Sequence, residues 1–127
     1  MMDEDHARID DLLDMVRATV DDDLPALHAR IAHELEAHFR REEAFLRERA
    51  FPGLFCHVAQ HGILLADLAR AGATRGGELR RQLTSIIPHF IRAHISTMDG
   101  MAAAFLKGEL QQSAFDVLRL PLPECVS

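Results

Sequence analysis

His57 and His61 stand four residues apart in FPGLFCHVAQHG, and His38 and Glu42 share that spacing in HFRREEAF. An α-helix turns about 100° per residue, so each pair projects from one helix face. Those faces are otherwise apolar, with Leu27, Ile31 and Leu35 leading to His38 and with Leu54, Leu64, Leu65 and Leu68 around His57 and His61. His6 lies three residues before Ile9 on a third apolar stripe, and His94 lies between Ile91 and Ile95 on a fourth. Each unpaired polar group in such a core costs about 1–3 kcal/mol, and a buried charge costs more. One histidine alone reads most simply as a core imidazole bonded to a carbonyl. Polar interruption of all four stripes at a similar depth points instead to a shared metal site. Imidazole and carboxylate without thiolate suit iron, manganese or zinc.

Asp99 follows His94 by five residues, which on an ideal helix separates them by about 140°. Either both side chains reach around the helix toward a central ion, or a local π-bulge brings residues five apart onto one face. The bulge is the expectation.

The elements that must carry these residues are all helical. Ala, Leu, Arg and Glu dominate the 127 residues, and no long alternation of polar and apolar residues suggests a sheet. A first helix runs from a cap at Asp3 along Ile9, Leu12, Leu13, Val16 and Val20. DDDLP breaks it, and Pro25 fits the first turn of a second helix whose stripe is Leu27, Ile31, Leu35, His38, Glu42 and Phe45. Pro52 and Gly53 stop that helix, and a third follows with Val58 also on its apolar side. AGATRGG, residues 71 to 77, reads as a loop, and a fourth helix covers about Glu78 to Leu106, with Phe90 on its apolar side and Pro88 either kinking it or starting a new turn. Short connections favour an all-α, up-down-up-down four-helix bundle over residues 1–108. Residues 109–127, which include the amphipathic ELQQSAFDVLRL, form a short C-terminal helical extension.

These segments, with DEDHARIDDLL around His6 and HISTMD around His94 and Asp99, resemble the hemerythrin pattern, the HHE cation-binding domain known also from bacteria. The likeness covers roughly residues 3 to 106. It implies a non-haem di-iron centre with an oxo or hydroxo bridge. One iron would be held by His57, His61 and His94, the other by His6 and His38, with Glu42 and Asp99 bridging both. It further implies that the His6 iron keeps an open position for reversible dioxygen binding, and that small anions such as azide bind there too. Leu46, Ile91 and Ile95, each one turn from a ligand, are candidates for the apolar lining of the oxygen pocket. Oxygen binding for storage, delivery or sensing, with no catalytic residues, is the expected function. An oxygen or redox sensor or interaction module, a di-iron enzyme acting on peroxide or nitric oxide, and an iron-repair protein use the same ligands and remain alternatives.

Other functions fit less well. A ferritin-like carboxylate bundle needs Glu-x-x-His, and no Glu here has a His three residues later. His33-Glu34 lacks the second histidine of a zinc protease, because position 37 is Ala37. His28, His33 and His89 read as surface residues or as partners of ligands. Cys56 adjoins His57 but projects about 100° away, and with Cys125 it makes too few cysteines for a disulfide framework, so both read as thiols. A net charge of −6 with no basic stripe argues against nucleic acid or an anionic membrane as partner. An acidic N-terminus and the lack of a long apolar run suggest a cytoplasmic protein.

Overall fold

The computed structural model describes residues 3–108; the expected extension over 109–127 lies outside the described residues. Four helical rods form the bundle. The first three are α1 (Asp3–Met15), α2 (Leu24–Glu48) and α3 (Leu54–Gly72). The fourth is a composite of α4 (Gly76–Arg81), a π turn (Gln82–Ile86), α5 (Ile87–His94), a second π turn (Ile95–Asp99) and α6 (Gly100–Leu106). No described strand interrupts this all-α architecture, and no described helix is long and apolar enough to cross a membrane.

Local sequence explains the breaks. α1 gives way to a 3₁₀ turn at Val16–Ala18, so Val20 falls off the expected stripe and is exposed, while Ile9, Leu12 and Val16 are buried. Asp3 is the first described residue of α1 and contributes to an acidic first turn rather than preceding it. Pro25 sits in the first turn of α2 as expected. The chain leaves α2 through Ala50, whose φ of 53° lies in the left-handed region, and the Phe51 amide closes the turn onto the Leu46 carbonyl at 3.0 Å.

The loop expected over residues 71 to 77 is shorter, because α3 continues through Gly72 and α4 begins at Gly76. Gly72 is needed inside that last turn, since a Cβ there would come within 2.4 Å of the His28 ring. Pro88 produces a widened turn just before it rather than a break. The Ile87 amide bonds the Gln82 carbonyl five residues back, which accommodates a proline ring that an ordinary α turn would crowd.

Fifteen buried apolar residues, from Ile9 to Ile91, make the main core between all four rods. Leu79, Leu83, Ile87 and Ile91 are its contribution from the fourth rod. Phe90 and Val58, expected on apolar faces, are exposed, because Ile87, Ile91 and His94 on the fourth rod and His57, His61 and Leu64 on α3 already fill the inward arcs. Cys56 is buried and disulfide-bonded rather than a packed thiol; the expectation for Cys125 lies outside the described residues.

Candidate metal centre

Between the main core and a smaller cluster at one end of the bundle lies a belt of polar side chains. His38, Glu42, His57, His61, His94 and Asp99 are all buried there, and His6 is about one-fifth exposed. α2 supplies His38 and Glu42 one turn apart, α3 supplies His57 and His61 one turn apart, and α1 brings His6 to the same level. The second π turn brings in Asp99. The Gly100 amide bonds the Ile95 carbonyl five residues back, and Asp99 Oδ1 consequently lies 3.1 Å from His94 Nε2.

The donor atoms converge on two points. On one side His61 Nε2 is 3.1 Å from His94 Nε2 and from Glu42 Oε1, and His57 Nε2 is 3.0 Å from Asp99 Oδ1 and touches Glu42 Oε1. On the other side His38 Nε2 is 3.6 Å from Glu42 Oε2, and His6 Nε2 is 3.5 Å from Asp99 Oδ2. Each carboxylate therefore turns one oxygen toward two imidazoles of the three-histidine side and the other toward one imidazole of the two-histidine side.

These spacings are those of ligands around cations. Bonds of about 2.1 Å at right angles place neighbouring donors about 3.0 Å apart. Among the described residues, four of the six buried side-chain polar atoms without a hydrogen-bond partner agree. His6 Nε2, Glu42 Oε2 and both oxygens of Asp99 are buried without a hydrogen-bond partner. They point into the two clusters that have the composition and spacing to hold metal ions, where a cation would satisfy them all.

The electrostatics prepare the same outcome. Burial pushes the Asp99 carboxyl up, but His57, His6 and His94 outweigh it and hold the group well below the usual carboxylate range. Glu42 is likewise raised by burial and lowered further by His57 and His61. Burial pulls the His57 imidazole down, yet the Asp99 and Glu42 carboxylates bring it up to about 9. The site thus combines two anions with a His57 imidazole that gives up its proton when a cation replaces it.

Two participating carboxylates escape a reading of spacings. His38 Nδ1 bonds Asp5 Oδ2 at 2.9 Å, and His61 Nδ1 bonds Glu43 Oε2 at 2.7 Å. Each fixes the orientation of an imidazole from behind, as acids do for metal-binding histidines generally. Their sequence signal is slight, a single acid beside His6 and another beside Glu42, while the histidines they hold are 33 and 18 residues away. Burial raises the Asp5 carboxyl, but Arg41 and His38 dominate and bring it down to about 2. Phe39 stacks on the His61 ring at 3.8 Å.

Beside His6, His38 and His94 is a cavity of about 10 Å³, whose apolar lining includes Ile9, Leu35, Phe39, Ile91 and Ile95, about the smallest space that holds one water molecule. Ile91 and Ile95 thus stand where a pocket lining was expected. Leu46 does not line this cavity. It lies one turn past Glu42, away from His38, and packs with Phe51 and Ala102 at the bundle end. His33 and His89 are exposed, and half-buried His28 bonds the Leu68 carbonyl at 2.7 Å, well outside the donor clusters.

Comparison with known proteins matches this sequence to a family. The model of the hemerythrin HHE cation binding domain covers residues 1–106. A bacteriohemerythrin of Ralstonia nicotianae (strain ATCC BAA-1114 / GMI1000) is 35% identical over 108 residues, spanning 82% of this chain and 78% of that protein. No solved structure gives a significant match. Four helical rods around a buried belt of histidines and carboxylates, matched by the family model over nearly its whole described length, place this chain in the hemerythrin family as a cation-binding domain.

Proposed function

We propose that the chain holds two iron ions side by side and binds dioxygen reversibly on the His6 side of the pair. The observation that carries this reading is the division of the carboxylate oxygens: Glu42 and Asp99 each face both clusters, as bridging ligands must. His57, His61 and His94 would hold one ion and His6 and His38 the other. The donor set of neutral imidazole and carboxylate without thiolate suits iron. When bound, the iron pair supplies exchangeable electrons that let dioxygen attach and leave again.

The protein's own part is to shape and dry the site. Three imidazoles with two carboxylates complete the first cluster, whereas two imidazoles with the same carboxylates leave fewer donors in the second. The small cavity touches both histidines of the second cluster and one, His94, of the first. Ile91 and Ile95 would line the approach of a small apolar gas, and His6, the most exposed member of the belt, marks its entry. Leu46 would act one step removed, by packing behind Glu42. Azide would compete for the same space.

The test is metal analysis with visible spectra of the reduced protein, then after air, then after azide. Two irons per chain with an oxygen-dependent band that disappears on deoxygenation is expected. About one zinc per chain, or irreversible oxidation with peroxide turnover, would overturn the reading. Glu42→Ala is expected to lose most of the iron, since it removes an oxygen from each cluster.

A further inference from the structure

The apolar contacts that hold α1 in the bundle begin at Ile9, so its first turn, which carries His6, needs another anchor. Asp5 supplies one. Its carboxylate, on a residue only 7% exposed, takes a two-pronged contact from Arg41 on α2, with Nε 3.1 Å from Oδ2 and Nη2 3.0 Å from Oδ1. The same Oδ2 accepts from His38 Nδ1 at 2.9 Å, and Arg8 closes on Oδ1 from one turn along α1. One carboxylate therefore joins the start of α1 to α2 and touches the ring of His38 while sitting beside His6 in the chain. A guanidinium fork fixes a carboxylate in plane as well as in place, which an ammonium does not.

We propose that Arg41 is a positioning residue for the two-histidine half of the centre, acting through Asp5 to orient the His38 ring and to seat His6 on the belt. The inference rests on the di-metal reading above. The three-histidine half does not depend on this device, because Asp5 bonds His38, Arg41 and Arg8, whereas His61 is held from behind by Glu43.

The test compares the full chain with Arg41→Ala, Arg41→Lys, Asp5→Asn and the Asp5→Asn/Arg41→Ala double variant. Each is loaded anaerobically with ferrous iron, and its release to a ferrous chelator is followed in time. Wild type is expected to release two irons in two phases. Arg41→Ala should accelerate one phase about tenfold, the lower end of what outer-shell changes do to metal sites, and leave the other unchanged. Arg41→Lys should recover part of the loss. The double variant should behave as Asp5→Asn alone, because two residues acting through one contact are not additive.

Equal acceleration of both phases, unchanged release, or additive effects in the double variant would overturn the proposal. A metal-independent measurement separates it from the di-metal reading. In the metal-free protein, Arg41→Ala should speed amide exchange at residues 7–9 relative to residues 12–14 of α1. Unchanged exchange there overturns the proposal whatever the iron count, whereas a wild type holding fewer than two irons overturns the di-metal reading.

Discussion

Away from the metal belt, fifteen buried apolar residues from all four rods close on one another, whereas at the opposite end Leu46, Phe51 and Ala102 are the buried apolar members, with Phe45, Leu54, Met101, Phe105 and Leu106 packed partly against them. The disparity has a geometric origin. The described part of α1 begins level with the belt, so the smaller cluster draws on α2, α3, the turn between them and α6. The larger end can hold itself by burial. The smaller end gains its fourth connection across the belt, where donors from all four rods meet. A bound cation would therefore serve as the structural tie at the end where the apolar core is thinnest, as metal binding does wherever ligands come from separate elements.

The sharpest way to break this comparison is to remove the metal. Tight binding at a thousandfold excess over Kd contributes about 4 kcal/mol, so chelation should accelerate amide exchange at residues 43–60 and 96–105 by about a hundredfold or more. Exchange at residues 64–71 and 79–87, inside the main core, should change far less. Equal acceleration at both ends, measured by exchange and mass spectrometry, would show that the ends are not independent.

A smaller effect separates the two clusters by truncation. Leu79 and Leu46 are both fully buried, and buried leucine-to-alanine changes cost about 2–5 kcal/mol depending on how well the site collapses. Leu79→Ala should fall near the top of that range in urea unfolding of the metal-free protein. Leu46→Ala should fall near the bottom, since fewer neighbours enclose it, but should lower iron retention by loosening the turn behind Glu42. Equal costs with equal iron content would remove the distinction.

The smallest effect belongs to His28, which bonds the Leu68 carbonyl within the larger end. His28→Ala should cost about 1 kcal/mol and leave iron content unchanged, as measured by thermal unfolding and metal analysis. Iron loss in that variant would tie the distant core to the belt.

Much of the site is legible in the chain because helical spacing is a strong code. The i, i+4 pairs at 38/42 and 57/61 share a face by geometry alone, and the interval of five between His94 and Asp99 announced a π turn that the structure contains at Ile95–Asp99. Asp5 and Glu43 were not legible, because the imidazoles they orient belong to other helices. Leu46 packs at the bundle end rather than along the cavity for a related reason. Being one turn from Glu42 fixes its distance along α2 but not which side of the belt its neighbours from other helices enclose. The exposure of Phe90 and Val58 likewise depends on which arcs the adjacent rods have already filled.

The sequence by itself determined the helices, their approximate breaks, the depth at which polar groups interrupt each apolar stripe and the chemical type of the donors, since all of these follow from periodicity and side-chain chemistry within one segment. Tertiary structure decided how those donors divide into two clusters, which carboxylate oxygen faces which, and which acids and arginines hold the imidazoles from behind. Those outcomes depend on the rotation and height of one rod against another, and these are set by the packing of all four at once.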